Sequence, residues 1–205
     1  MSELRRLMMA KKIHTSPLPS GYTECEYLES ANTQYIDIPQ VPTVNSIITA
    51  RMAITVDTEN YFNISGFALA SNAGWVCFGR YSINKLVAYF SKGTRGGVEI
   101  DTDTNFHDYY ISNGLQKIDS NESHSSVSSL SFRNIRLFKS QITWSGASTQ
   151  GRQKISSFTM TDASNGYKID LVPALDPNSR PCMFDIVSQT PLYNQGTGEF
   201  LYKLK

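Results

Sequence analysis

The chain has 205 residues, of which 40% are hydrophobic and 18% are charged, and its formal net charge is +1. Serine, threonine and asparagine together number 54, so we expect a surface that is polar through hydroxyls and amides more than through charge. This composition excludes a disordered or collagen-like chain, and because no run approaches 18 apolar residues it predicts no membrane insertion. The length suits one domain with a tail.

Basic residues are concentrated at the start of the chain. Arg5, Arg6, Lys11 and Lys12 fall within the first twelve residues, which leaves 15 basic against 17 acidic residues in the remainder. Because nucleic-acid binding requires a basic surface that neutralises phosphates, we predict no nucleic-acid partner. The apolar stretch Leu7–Ala10 is too short for the core of a signal peptide, so we expect synthesis in the cytoplasm without such a signal.

Residues 1–20 are predicted to form a leader and linker. Leu4, Leu7 and Met8 would share one side of a short helix, and two prolines further along end any helical pattern. A helix of about three turns is unstable alone in water. We therefore expect this segment to dock the protein onto a partner or to assemble it as a homo-oligomer, a trimer in our interpretation.

From Tyr22 onward the hydrophobic pattern has a period of two. Ile48, Ala50, Met52 and Ile54 alternate with mostly polar residues, as in a strand that buries one face. Asn121–Ser129 is rich in serine and is predicted to be a mobile loop. Further strands are predicted at Gln34–Ile38, Tyr61–Leu69, Trp75–Ser82, Lys85–Ser91, Val98–Thr102, His107–Ser112, Leu115–Ile118, Ser129–Ile142 with a bulge, Lys154–Met160, Lys168–Leu175, Met183–Val187 and Glu199–Lys203. Residues 21–205 are thus predicted to form an all-β, two-sheet antiparallel sandwich.

The sequence predicts no cofactor. Cys25, Cys77 and Cys182 are more than 50 residues apart, without metal-ligand spacing, and we interpret them as buried free thiols. The chain contains no glycine-rich phosphate loop and no nucleophile elbow. His107 alternates with apolar residues and is interpreted as a packed strand histidine, whereas His124 in the serine-rich loop is interpreted as solvated.

Glu99, Asp101 and Asp103 occupy alternate positions of a predicted strand. Two carboxyl groups about 5 Å apart on one sheet face can flank a glycosidic bond and cleave it. The same residues are also compatible with a solvated acidic strand face, or with a calcium site that includes Asp101, Asp103 and Asn105. We favour the solvated face and predict that the protein is not an enzyme.

Sugar-binding sites combine the face of an aromatic ring with amides or carboxylates that bond the hydroxyls. Trp75, Tyr81, Asn84 and Tyr89 lie near one another in sequence, and Trp144 lies in a polar loop at 143–151. These five residues are our candidates for a carbohydrate-binding site. For each aromatic residue, packing in the core is the alternative interpretation.

Two parts of the sequence resemble a known family. The first is LPSGYTECEYLESANTQYID at 18–37, and the second comprises IDLVPAL at 169–175, RPCMFD at 180–185 and LYNQGTGEF at 192–200. They resemble the first and last segments of the concanavalin A-like, LamG-type jelly-roll domains of phage and prophage structural proteins and of gut-bacterial surface proteins. The resemblance covers about residues 18–200 and implies a jelly-roll sandwich.

The family-like segments contain residues with a plausible structural purpose. Proline without an N–H donor fits a strand end, glycine permits tight turns, and short polar side chains bond turn amides. We interpret the polar members as anchors of the fold, with ligand contact as the alternative. These motif residues are Asp37, Asp170, Pro173, Asp185, Asn194, Gly196 and Gly198.

The resemblance implies a phage-encoded protein of the virion or tail, which reaches the outside of the cell by lysis or within a particle. Our first interpretation is a non-catalytic, lectin-like recognition module that binds host-surface carbohydrate. The alternative is a structural or decoration protein that makes contacts with other virion proteins only. A more remote alternative is a jelly-roll glycoside hydrolase that uses Glu99, Asp101 and Asp103.

Overall fold

The computed structural model describes residues 16–31, 33–55, 63–69, 74–82, 85–92, 97–126, 134–138 and 152–205; at 63–69, 74–75, 81–82 and 91–92 it describes the backbone only. These residues form strands and turns, and no helix occurs among them. The strands are β1 (Thr23–Ser30), β2 (Ile36–Asp37), β3 (Ser46–Ile54), β4 (Asn63–Leu69), β5 (Gly74–Ser82), β6 (Lys85–Lys92), β7 (Gly97–Asp101), β8 (His107–Ser112), β9 (Leu115–Ile118), β10 (Asn121–Ser123), β11 (Arg136–Leu137), β12 (Gln153–Asp162), β13 (Tyr167–Leu175), β14 (Pro181–Asp185), β15 (Thr190–Tyr193) and β16 (Leu201–Leu204).

The strands form two antiparallel sheets. The larger sheet has the order β10-β9-β8-β3-β12-β1-β13-β14-β15, with β16 paired to β1, and the smaller sheet has the order β2-β11-β4-β5-β6-β7. Buried residues of both sheets belong to one hydrophobic cluster. The all-β sandwich that the period of two predicts is therefore confirmed.

The core lies between the facing sides of the two sheets. In β3, the side chains of Ile48, Ala50 and Met52 are buried and the residues between them point away from the core. Phe158 of β12 stacks on Phe78 of β5 with 6.2 Å between the ring centroids, which joins the two sheets. The alternation of β3 and β12, interrupted by one extra residue in β12, thus gives this part of the larger sheet one apolar face and one solvent-directed face.

A smaller cluster covers the opposite face of the larger sheet at one end. It is centred on Cys182 and Phe184 of β14, and Leu18 and Tyr22 pack against it. The rings of Tyr22 and Phe184 meet edge to face with 4.7 Å between their centroids. Leu18, which belongs to the predicted linker, is therefore packed against the sandwich.

Three strands were not predicted: β1, β10 and β15. The strand β10 lies in the segment predicted to be a mobile loop, and that prediction is wrong for Asn121–Ser123. Asp119 adopts a φ of 52°, which allows a two-residue turn that places Asn121 opposite Ile118. In β1 the glutamates lie opposite lysines that are distant in sequence; Glu26, for example, pairs with Lys203 at 2.8 Å.

The turn at 194–198 is hydrogen-bonded to residues 33–35. The side-chain oxygen of Asn194 accepts hydrogen bonds from the amides of Tyr35 at 3.1 Å and Gly196 at 2.8 Å, and its Nδ2 donates to the carbonyl of Gly198 at 2.7 Å. A Cβ on Gly196 would lie 1.9 Å from the carbonyl oxygen of Thr33. Only glycine therefore fits at position 196 without displacing the backbone.

We expect Gly196→Ala to lower the free energy of unfolding by at least about 2 kcal/mol, because the new Cβ collides with backbone rather than with a flexible side chain. Urea unfolding measures this loss. Gly166→Ala is the matched control, since Gly166 has a φ of 71° and open space around its Cβ position; backbone strain alone is expected to cost about 1 kcal/mol there. Equal losses in both variants would contradict a steric role for Gly196.

Candidate functional site

Tyr89, one of the predicted sugar-binding residues, is buried. It lies on β6 with 1% of its surface exposed, and its hydroxyl donates a hydrogen bond to the carboxylate of Glu99. Its partner across the sheet, Cys77 of β5, and its neighbour Val87 on the same face are also buried. Because a ring enclosed in this way has no face open to a sugar, we do not include Tyr89 in a binding site.

The other four sugar-binding candidates stay predictions. Trp75 is placed by its backbone in β5, opposite Ser91, and Tyr81 lies near the end of the same strand. Asn84 and Trp144 lie outside the described residues.

The three alternating carboxylates have different partners. Asp101 forms an ion pair with Lys85 at 2.8 Å, and the hydrogen bond from Lys85 lowers the pKa of Asp101. Glu99 bonds Tyr89, whereas Asp103 lies beyond the end of β7 and contacts the ring of His107 at 2.8 Å. Within the described part of the chain, no group of three or more His, Cys, Asp or Glu side chains is arranged to hold a metal ion.

His107 is held between two carboxylates. Its Nδ1 lies 2.6 Å from Asp119 and its Nε2 lies 2.8 Å from Asp103, and 10% of its side chain is exposed. Burial opposes protonation and is the largest single influence on the ring, but the hydrogen bonds and charges of the two carboxylates together raise the pKa of His107 above 6.5. His107 is a packed strand residue, as the alternation predicts.

The three cysteines are buried and free, as predicted. Burial raises the pKa of Cys25 to about 11 and that of Cys182 to about 12, and it raises the pKa of Cys77 as well. The thiolate is the nucleophilic form of cysteine. These three thiols are therefore inert at neutral pH.

The polar motif residues bond groups of the chain itself. Asp37 receives two hydrogen bonds from Arg136, at 2.7 and 2.8 Å, across the pairing of β2 and β11. Asp185 accepts hydrogen bonds from the backbone amides of Asp170 and Val187, at 3.0 and 3.1 Å. We keep the interpretation of these side chains, together with Asn194, as anchors of the fold.

Two further motif residues lie on β13. The carboxylate of Asp170 is 3.1 Å from the ammonium group of Lys168. Pro173 lies opposite Met183 of β14, beyond the point at which β13 leaves β12. A proline is tolerated there because only one side of the strand requires ladder hydrogen bonds.

The outward side of the larger sheet carries an open depression of about 260 Å³ where β3, β8, β9 and β12 lie side by side, and its lining is more apolar than polar. No sequence motif indicates this surface, because its residues are the outward positions of separate strands. Its outward polar side chains, which we call the polar face, are those of Thr49, Arg51, Asp108, Tyr110, Lys117, Asp119 and Ser157.

Short polar contacts order the side chains of the polar face. Arg51 forms an ion pair with Asp108 at 2.8 Å, and the hydroxyl of Thr49 lies 2.7 Å from that of Thr159. The backbone amide of Asp108 also donates to the carboxylate of Asp119, which is itself fixed by His107. The depression therefore combines apolar surface with hydroxyls, the phenol group of Tyr110 and paired charges.

Comparison with known proteins yields no match: no protein-family model, curated protein or solved structure matches this chain. The resemblance described from the sequence thus stays a prediction. None of the described residues forms a helix that is long and apolar enough to cross a membrane.

We expect the stabilisation that His107 provides to depend on pH. The raised pKa of His107 means that its contribution is complete below its ordinary pKa of 6.5 and is lost as the pH rises through the folded-state value. The lowered pKa values of Asp103 and Asp119 mean that their contribution is complete above 3.8 and is lost in stronger acid. The difference in unfolding free energy between wild type and His107→Gln should therefore be largest between pH 3.8 and 6.5.

Urea unfolding at pH 5 and pH 9 measures this difference. His124→Gln is the control, because the side chain of His124 is 69% exposed and the variant should show no comparable dependence on pH. If the difference for His107→Gln stays constant, or grows toward pH 9, the two carboxylates do not stabilise the protein by raising the pKa of His107.

Proposed function

We propose that this chain is a non-catalytic recognition module of the concanavalin A-like jelly-roll type, carried on a phage virion or tail, which binds carbohydrate of the host surface. The observation that carries the proposal is the polar face, an open surface with hydroxyls, a phenol ring and paired charges on a sandwich whose cysteines are buried. Assignment to a phage and to the jelly-roll family rests on the sequence resemblance.

Several titratable groups are hydrogen-bonded to other groups of the chain or are buried, which supports a role without catalysis. A general acid or nucleophile needs access to substrate and a pKa suited to its task. Here His107 has both ring nitrogens bonded to carboxylates, Glu99 bonds the buried Tyr89, and the cysteines are buried. These contacts are those of groups that hold a structure together.

The nature of the surface supports carbohydrate as the ligand. Sugars offer hydroxyls that bond polar side chains and apolar ring faces that pack on aromatic rings. Tyr110 is partly exposed, and Thr49, Ser157 and Thr159 supply hydroxyls on the same side of the sheet. Weak binding at one such site suffices on a particle, because many copies act together.

The second candidate function, a structural virion protein, is favoured by a different surface. Leu201, Tyr202 and Leu204 of β16 are 58%, 44% and 49% exposed. Among the described strands, β16 pairs only with β1, so its other edge is open. Exposed apolar residues on an open strand edge are typical of a protein contact.

We expect the protein, displayed in many copies on beads, to capture polysaccharide from at least one preparation of a bacterial envelope, because multivalency compensates for a weak single site. Sugar analysis of the washed beads measures capture. The double variant Leu201→Ser, Leu204→Ser is the control and should capture polysaccharide as well as the wild type does.

Failure to capture polysaccharide from any preparation would overturn the recognition proposal. The structural alternative would gain support if virion proteins bound instead to beads that carry the wild type and did not bind to beads that carry the double variant.

A further inference from the structure

We propose that the polar face is the carbohydrate-binding surface and that it takes a neutral polysaccharide. This inference rests on the proposed function and adds the place of binding and the charge class of the ligand. It moves the site away from the aromatic candidates of the smaller sheet. Three observations carry it: the arrangement of the side chains in rows, a bulge beside them and the balance of charge.

Strand register aligns most side chains of the polar face, together with the adjacent Thr159, in two parallel rows. In the first row, Lys117 of β9, Tyr110 of β8, Thr49 of β3 and Thr159 of β12 lie opposite one another on successive strands. Adjacent strands are about 4.8 Å apart, so Tyr110, Thr49 and Thr159 span about 10 Å, enough for a short stretch of sugar rings. A partly exposed phenol ring beside two hydroxyls can pack on the apolar face of a sugar ring and bond its hydroxyls.

The second row consists of Asp108 of β8, Arg51 of β3 and Ser157 of β12. The register of β12 against β3 shifts between Ile155 and Ser157, which is a bulge. Ser156 and Ser157 are both partly exposed, so the bulge breaks the alternation and adds a hydroxyl to the open side of the sheet. Bulges beside a site commonly redirect a side chain in this way.

The charges of the polar face indicate a neutral ligand. Arg51 is paired with Asp108 at 2.8 Å, and Lys117 is paired with Glu122 at 2.7 Å. No excess of positive charge remains at these positions to attract a polyanion. None of the large exposed apolar side chains identified in the described part of the chain lines the depression.

The corresponding side of the smaller sheet is closed at Cys77, Val87 and Tyr89, although Glu99 and Asp101 at the neighbouring β7 are exposed. Cys77, Val87 and Tyr89, which point away from the central core, are nevertheless buried. A sugar has no access to that surface at these three positions. The polar face is open, and its floor is fixed by the contacts of Asp108 with Arg51 and Asp119.

Affinity measurements on single-site variants test the inference. The probes are a neutral lipopolysaccharide O-chain polysaccharide captured by the wild type and hyaluronan as a polyanion. We expect Tyr110→Ala to weaken binding of the neutral polysaccharide at least about tenfold through the loss of ring packing, and Tyr110→Phe to retain most of it. Thr49→Val, which preserves shape, should weaken binding by a smaller factor.

Tyr202→Ala is the matched control, because it removes an exposed strand tyrosine that does not line the depression. It should bind as the wild type does, and unchanged melting temperatures would establish that each variant is folded. If Tyr110→Ala does not fold, two other measurements test the site. One compares the affinities of Tyr110→Phe and Thr49→Val with that of the wild type, and the other follows the NMR shifts of the Thr49 and Ser157 amides when polysaccharide is added.

The outcomes separate this inference from the proposed function. If the wild type binds and Tyr110→Ala and Thr49→Val bind equally well, the proposed site is wrong. The proposed recognition function is then still supported. A preference for hyaluronan overturns the neutral class of ligand. If the wild type binds no polysaccharide at all, the recognition function fails and the site fails with it.

Discussion

The pairing of β3 with β12 is the constraint on which the rest of the structure depends. Along this pairing, residues such as Ile48 and Phe158 point into the core while Thr49 and Thr159 point outward. A slip of one residue would exchange the two sets, burying hydroxyls and exposing the core. Asp162 fixes the register at one end of the pair: it accepts hydrogen bonds from Ser164, Thr43 and Ser46, which outweigh the effect of burial and lower its pKa to about 2.

The core and the polar face are therefore two results of one register. Packing Phe158 on Phe78 across the sandwich requires the inward set of β12, and the same choice leaves Thr159 and Ser157 on the open side beside β3. Because β8 is also held in register with β3, Tyr110 lies beside Thr49 as a result of strand pairing alone. Positions set by strand pairing are pre-organised, and pre-organisation lowers the entropic cost of binding at any surface proposed for a ligand.

Strand content was predictable from the sequence where a single strand carries the signal. The strands β8 and β9 have the predicted bounds, since alternation and the turn at 113–114 lie within one short segment. The strand β1 was missed because its glutamates are neutralised by distant lysines, such as Lys205 opposite Glu24. The polar face was not predicted for a related reason: the row formed by Tyr110, Thr49 and Thr159 exists only once three strands are in register.

The burial of Tyr89 illustrates why aromatic residues are poor indicators of a site in such a fold. On an ordinary two-sheet sandwich the side away from the core meets water, and a tyrosine at that position is free for a ligand. Here Val87 and Tyr89 are buried although they point away from the central core, so both sides of β6 behave as interior. Tyr110 lies on a strand whose outward residues remain exposed or partly exposed, and its ring is therefore accessible. The two tyrosines differ in burial although both alternate with core residues, and a pattern within one strand does not record that difference.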